Sequence, residues 1–372
     1  MKASLWICAA LIAYAYAGYP LLLWIVSHFR GRPVLRKKIT PKVSIIIAAR
    51  NEEKTLPAKL ENLRRLNYPR DRMQVIVVSD GSTDGTRELL SAQADILEPV
   101  ILEERCGKAG ALNEGVRRAT GEILVFMDAR QSVDADAVAE LVANFWDPEV
   151  GGVSGELIFQ RDFGSSSDGL GAYWNVEKFV RRLESVSGSV VGATGALYAV
   201  RRQLFKEIPP GTTLDDVLIP MNVVRQGKRV VFQSSAIVRD RLFADKGTEF
   251  SRKVRTMTGN YQLLWLAPWL ISSGNPVLFR YVSHKLLRLV CPLLLVVVLI
   301  ASGLSGGPFY GTLFAIQAAL YGLAAFGALF PLTRRMKVVA ITNTFVMLNA
   351  AATLGLYNCL TGRNVTWRQG MN

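Results

Sequence analysis

Histidine and cysteine are scarce in this sequence, and neither is clustered. Its two histidines, His28 and His284, stand far apart in 372 residues, too few for a His-based metal centre. The four cysteines, Cys8, Cys106, Cys291 and Cys359, are scattered and form no CxxC pair. That speaks against a zinc or thioredoxin-like site and implies no disulfide framework. Acid is missing from both ends. Residues 1–51 hold eight Lys or Arg and no Asp or Glu, and residues 250–372 hold eleven and none. Of a formal net charge of +14, the two ends carry +19 and the middle −5. A nucleic-acid binder would place its positive charge on its folded domain. Here the charge flanks apolar segments, the pattern of membrane anchoring, and a nucleic-acid partner is not expected.

Half the residues are hydrophobic, which excludes a disordered chain. Ala3 to Val26 is an apolar run long enough to span a bilayer as a helix. Arg30, Arg32, Arg36, Lys37, Lys38 and Lys42 follow it. A signal peptide cut after Ala15-Tyr16-Ala17 would have a shorter apolar core, so the run reads as an uncleaved anchor with its C-terminal side in the cytosol. Three further spans are expected near Leu289–Leu304, Phe309–Phe330 and Val338–Leu360. The basic link Arg334-Arg335-Met336-Lys337 belongs inside and the uncharged Ser305–Pro308 link outside. Between Met257 and Ile271 lies a shorter apolar stretch with Trp265 and Trp269, broken by Pro268. It reads as an interfacial helix; a buried core helix is the plainer alternative.

The middle alternates strand and helix. Strands are expected at Val43–Ala49, Gln74–Ser79, Val100–Glu103, Ile123–Met127 and Gly152–Phe159. Helices are expected at Glu53–Leu66, Thr83–Gln93, Ala109–Ala119 and Asp134–Phe145. This order implies an α/β fold with an open, mostly parallel sheet covered on both faces. Ligands bind such sheets at the carboxyl ends of the strands, and polar groups gather there: Arg50-Asn51-Glu52-Glu53, Asp80-Gly81-Ser82-Thr83-Asp84, Gly107-Lys108-Ala109, and Asp128-Ala129-Arg130. Each alone could be a turn or a helix cap, with Ser82 or Thr83 as the cap. Four at one edge make a site. No GxGxxG follows a strand, and Gly107-Lys108 lacks the upstream glycine of a P-loop, so neither a dinucleotide fold nor an ATPase is supported.

Further on, Gly192–Arg202 has small residues where backbone can approach a ligand closely. Thr213-Leu214-Asp215-Asp216 reads either as a capped helix start or as carboxylates at a site edge, one of them a general base. Arg252 and Arg255 share one helix face, either against lipid headgroups or as a diphosphate clamp.

In this order the motifs resemble the membrane-bound glycosyltransferases of family 2, with a GT-A (Rossmann-like) catalytic fold, in the group of cellulose, hyaluronan and chitooligosaccharide synthases. The resemblance covers roughly Val43 to Gln262 and the membrane layout. It implies an N-terminal transmembrane anchor at 1–28, a cytosolic GT-A catalytic domain at 40–246, interfacial helices at 247–284 and about three C-terminal transmembrane helices at 285–362. The implied enzyme is an inverting hexosyltransferase of a bacterial inner membrane, moving a sugar from a nucleotide-diphosphate donor, expected to be a UDP-sugar, to a lipid or lipid-linked glycan.

By the same resemblance Asp216, with Asp215, is catalytic, Asp216 deprotonating the acceptor hydroxyl. Asn51, Glu52, Asp80, Lys108, Asp128, Arg130, Arg252 and Arg255 bind the donor, with Asp80 at the base. Asp128 is the first acid of the DxD element, which holds a metal such as Mg²⁺ or Mn²⁺. Here that element reads Asp128-Ala129-Arg130, and an arginine would repel the ion or replace its charge. The QxxRW element reads Arg252-Lys253-Val254-Arg255-Thr256, without the tryptophan of processive members. Single-sugar transfer is therefore the first reading and a processive polysaccharide or oligosaccharide synthase the second. A non-catalytic membrane scaffold and a nucleotidyltransferase are weaker alternatives, since the acids and Lys108 are retained and no glycine-and-arginine-rich loop follows the first strand.

Overall fold

The computed structural model describes residues 1–160, 168–241, 246–330, 333, 336 to 363. Val43–Ala49 forms the central strand β1 and is buried on both faces along its whole length. A run of three isoleucines explains this, since β-branched side chains pack well on a pleat with no solvent face. Alternate residues serve two cores. Ile45 and Ile47 join the first, with Leu56, Leu60, Val77, Val125 and Val138. Ile46 and Ala48 join the second, with Val78, Leu112, Phe126, Tyr198 and Val217. The strand-to-helix packing is close. A Cβ on Gly115 would lie 2.6 Å from Ile46 Cγ2.

The other strands are β2 (Met73–Asp80), β3 (Glu98–Leu102), β4 (Ile123–Asp128), β5 (Ser132–Val133), β6 (Val150–Gln160), β7 (Leu197–Arg201) and β8 (Arg229–Arg241). Their order in the sheet is β3-β2-β1-β4-β7-β6-β8-β5. The β3-β2-β1-β4 half is parallel, as crossover helices require. β7 runs antiparallel between β4 and β6, while β6 and β8 pair in parallel. The reversal places the start of β7 beside the end of β4, with Leu197 opposite Met127. The small-residue segment before β7 thereby reaches the same sheet edge as Asp128.

Among the described residues, four helices are long and apolar enough to cross a membrane: Lys2–Phe29, Leu278–Leu304, Pro308–Leu329 and Lys337–Leu360. The second begins eleven residues before the expected Leu289; in its early turns His284 lies between Glu184 and Glu177, and Arg288 also pairs with Glu177. Arg334, Arg335 and Arg368 lie outside the described residues.

The stretch Met257–Ile271 differs from expectation. It is the end of a longer helix, Lys246–Leu266, followed by a 3-10 turn at Pro268–Ile271. Leu263, Ala267 and Leu270 are buried in the second core, while Trp265 is 74% exposed. One face is thus a core helix, and the exposed tryptophan lies on the other. A 3.6-residue period allows both in one segment.

Candidate active site

Two loops at the carboxyl edge are stitched by Asn51. It takes a left-handed conformation with φ 53°, which asparagine tolerates better than most residues. Its Oδ1 accepts from the Thr83 N–H at 2.8 Å, and its own N–H donates to Ser82 Oγ at 3.2 Å. The Glu52 N–H donates to Thr86 Oγ1 at 2.9 Å. The next helix, Thr86–Ser91, carries no side-chain cap from Ser82 or Thr83; Asp84 Oδ1 instead accepts from the Thr86 N–H at 3.1 Å. Asn51 and the hydroxyls thereby hold the two loops together at the edge. Burial raises the Glu52 carboxyl, Thr55 and Arg130 oppose the rise, and Asp128 adds to it, so Glu52 shares a field with both ends of the Asp128–Arg130 element.

Asp80 ends β2 fully buried. Its carboxylate accepts the backbone N–H groups of Cys106 at 2.6 Å and Gly107 at 3.0 Å. It thereby fixes the turn that launches helix Gly107–Arg118, and Gly107 makes that turn with φ 80°, a conformation glycine adopts at no steric cost.

Lys108, the second residue of that helix, lies at the centre of the site. Its Nζ is 3.0 Å from Asp128 Oδ1 and 3.1 Å from Asp215 Oδ1. Burial alone would lower its proton affinity; Asp128, Asp215 and Asp216 together raise it above the usual lysine range. The ammonium is fixed.

Asp215 and Asp216 open helix Asp215–Arg225, which has no side-chain cap. The capping reading of Thr213 does not hold, yet both acids occupy the first turn, where the helix dipole favours negative charge. Their surroundings differ. Asp215 is buried, ion-paired to Lys108, and accepts from the Tyr198 hydroxyl at 3.2 Å. Tyr198 is itself stacked on Phe126 at 4.8 Å between ring centroids. Asp216 is raised to about 6, first by burial and then by the Asp215 charge, against the pull of Lys108, Lys285 and Arg181. One carboxylate is thus held in an ion pair, while the proton affinity of the other is raised toward neutrality. The Gly192–Ala196 segment wraps the second. The Ala193 N–H donates to the Asp216 carbonyl at 2.7 Å, and a Cβ on Gly195 would lie 2.9 Å from Asp216 Oδ2.

Arg130 extends from the end of β4 to Asp240 on β8, at 2.6 Å, and Gln131 Nε2 reaches the same oxygen at 3.1 Å. Arg252 lies in the same field. Burial and the neighbouring Arg130 lower its proton affinity, and Asp240 and Glu249 restore part of it. Arg255 follows one turn later on the same helix. The sheet edge therefore gathers Asn51, Glu52, Asp80, Lys108, Asp128, Arg130, Asp215 and Asp216, with Arg252 close to Arg130.

Sequence reasoning missed several residues here. Lys59 is 3% exposed and donates to the Gln131 carbonyl at 2.8 Å; burial lowers its pKa to about 8, with Asp128 opposing the shift. Arg181 donates to Thr194 Oγ1 at 2.8 Å. Asp240 completes the list. Each reads in sequence as an ordinary helix or strand residue, and no local spacing marks it.

The chain has counterparts among known proteins. The profile described as Glycosyl transferase family 2 matches residues 44–209. A poly-β-1,6-N-acetyl-D-glucosamine synthase of Staphylococcus aureus is 24% identical over 272 residues, covering 67% of this chain and 65% of that protein. The chain thus spans just under two thirds of that relative's length. A probable glycosyltransferase of Bacillus subtilis, YdaM, is 27% identical over 215 residues, 54% of this chain and 50% of its own. Among solved structures, a mannosyltransferase from Pyrobaculum calidifontis in complex with GDP-Man and Mn²⁺ superposes with a TM-score of 0.72 at 24% identity, over 97% of this chain and 99% of that one. This likeness establishes a shared GT-A fold, apolar helices included.

Proposed function

We propose that this chain, whose residues 44–209 match the glycosyltransferase family 2 profile, is an inverting glycosyltransferase that moves a sugar from a nucleoside-diphosphate donor to an acceptor hydroxyl at a membrane surface. The observation that carries this reading is the split pair at the start of helix Asp215–Arg225: Asp215 neutralised by Lys108, and Asp216 raised to about 6 beside it.

In this reading the acceptor hydroxyl gives its proton to Asp216 as its oxygen attacks the anomeric carbon. The bond from that carbon to the diphosphate oxygen breaks, and the electron pair leaves with the nucleoside diphosphate. A single displacement inverts the anomeric centre. Lys108, held at the strand ends, faces the charge that grows on the leaving group. Arg252 and Arg255 stand on the adjoining helix as further phosphate contacts. The basic, acid-free segments flanking the four apolar helices favour a catalytic domain on the cytosolic side, with residues 1–28 as the anchor, 40–246 as the catalytic unit, 247–284 as interfacial helices and 285–362 as the remaining spans. The acceptor is then lipid-borne, a lipid or lipid-linked glycan.

Relatives leave two product types to separate. The Staphylococcus relative is named a polysaccharide synthase and the fold neighbour a mannosyltransferase. The absence of tryptophan at Thr256 favours single transfer. The test is nucleoside diphosphate release by protein in nanodiscs, over a panel of UDP-, GDP- and dTDP-sugars with membrane lipid extract as acceptor and Asp216→Asn as control. Release from one donor, lost in the variant, supports the reading and names the sugar. A ladder of long products replaces single transfer with processive synthesis. No release from any donor defeats it.

A further inference from the structure

The resemblance implies a divalent metal at Asp128, and the residues present do not fit one. Mg²⁺ and Mn²⁺ take hard oxygen ligands, usually with more than one protein carboxylate or carbonyl in reach. Among the described residues no group of three or more His, Cys, Asp or Glu could hold an ion. The single acid of the element is already engaged, Asp128 Oδ1 lying 3.0 Å from Lys108 Nζ. The second acid is replaced by Arg130. Beneath the turn, Lys59 binds the Gln131 carbonyl at 2.8 Å and feels the Asp128 charge. An ion at Asp128 would therefore meet three cations.

Those cations have what a metal would otherwise supply. Arg130 is gripped from below: Asp240, with 8% of its side chain exposed, holds a guanidinium that is 28% exposed. The more exposed member of the pair is thus its cation, and not its carboxylate. Gln131, bound to the same Asp240 oxygen, stiffens the turn. A guanidinium is always charged and offers a planar fork suited to phosphate oxygens. Lys108 is fixed on the other side of Asp128, and Arg252 approaches Arg130 closely enough for the two to repel. Like charges held together at a partly buried sheet edge are a site for a polyanion.

We propose that this chain neutralises the diphosphate of its donor with fixed side chains, Lys108 and Arg130 with Arg252 beside them, and needs no divalent metal for donor binding or transfer. The proposal rests on the transferase reading for its chemistry, but its binding half can be measured alone. When the bond from the anomeric carbon to oxygen breaks, the electron pair leaves with the diphosphate, and the charge that grows on its oxygens is stabilised by the N–H groups of Lys108, Arg130 and Arg252. No other reactant is required.

The experiment uses the full chain in nanodiscs. Calorimetric titration with UDP and GDP is run in EDTA and in millimolar Mn²⁺, together with sugar-nucleotide turnover under both conditions. Equal affinity and equal turnover with and without EDTA are expected. Arg130→Asp, which rebuilds the two-acid element, should lose about tenfold or more in affinity in EDTA and regain it with Mn²⁺. Wild-type binding that vanishes in EDTA and returns with Mn²⁺ overturns the proposal and leaves the transferase reading standing. Nucleotide binding in EDTA without turnover under either condition upholds the cationic site and defeats the transferase reading. Because the wild-type comparison decides the matter, misfolding of Arg130→Asp would not rescue the proposal.

Discussion

Lys108 Nζ stands 3.1 Å from Asp215 Oδ1, and this contact joins two halves of the site that are far apart in sequence. The same ammonium reaches Asp128 at 3.0 Å, so one lysine ties the end of β4 to the start of the helix carrying Asp216. Lys108→Met leaves two acids facing each other with no cation between them. Breaking such a pair costs about 3–5 kcal/mol where it is buried, and the unfolding temperature should fall. The double variant Lys108→Met/Asp215→Asn should recover much of that stability and none of the donor affinity. Thermal melts and nucleotide titration of the wild type, Lys108→Met, Asp215→Asn and the double variant measure the coupling directly; losses in the double variant equal to the sum of the two single losses would show that the contact is incidental.

Asp216→Asn keeps the shape and removes the proton acceptor. Transfer should fall by about 10²–10⁴-fold, the usual worth of a general base, while donor affinity is retained. Single-turnover kinetics with separately measured binding distinguish this from a loss of donor contact.

The pH profile follows from the same residue. A base works deprotonated, and Asp216 is raised to about 6 by burial and by Asp215. The rate should therefore climb with pH through about 6 and level off above. The rising limb should be absent from the residual activity of Asp216→Asn. A wild-type profile flat down to pH 4.5 would reassign the base, as that is roughly the ordinary carboxylate range.

Gly195→Ala tests the wall around Asp216. The added Cβ would come within 2.9 Å of Oδ2, so the carboxylate must shift. A displacement of this order costs up to about 10²-fold in rate, with donor affinity little changed. An unaltered kcat would mean that Asp216 has room to move and still work.

Glu177 anchors the catalytic unit to the apolar helices. It is buried, with His284 Nε2 at 3.1 Å, Arg288 at 2.9 Å and Arg181 at 3.2 Å. Burial alone would raise its pKa, but His284, Lys285 and Arg181 hold it well below the usual carboxylate range. A depressed carboxyl contributes stability that is fully present above its unfolded pKa and is lost as pH falls through the folded one. Glu177→Gln should lower stability at neutral pH by about 3–5 kcal/mol and flatten the acid limb of the melting profile. Melts across the acid range, in detergent, check both.

Much of this protein was legible in its sequence for local reasons. The isoleucines of β1 dictate a strand buried on both faces, and the four apolar runs dictate helices of spanning length, since each depends only on residues adjacent in the chain. The acids and Lys108 were legible as members of motifs, because each follows a strand or opens a helix. What the sequence did not determine is how those residues share charge. Asp215 and Asp216 are chemically identical neighbours. Their surroundings differ because the fold brings Lys108 and Tyr198 to Asp215, while burial and the Asp215 charge raise the proton affinity of Asp216. Arg130 reads in sequence as a defect in a metal element, and only the pairing of β5 and β8, which brings Asp240 beneath it, makes it a fixed cation. Lys59 and Glu177 gave no signal at all. Electrostatic roles depend on distance through space in a medium of low polarity, and sequence order carries no information about either until the chain is folded.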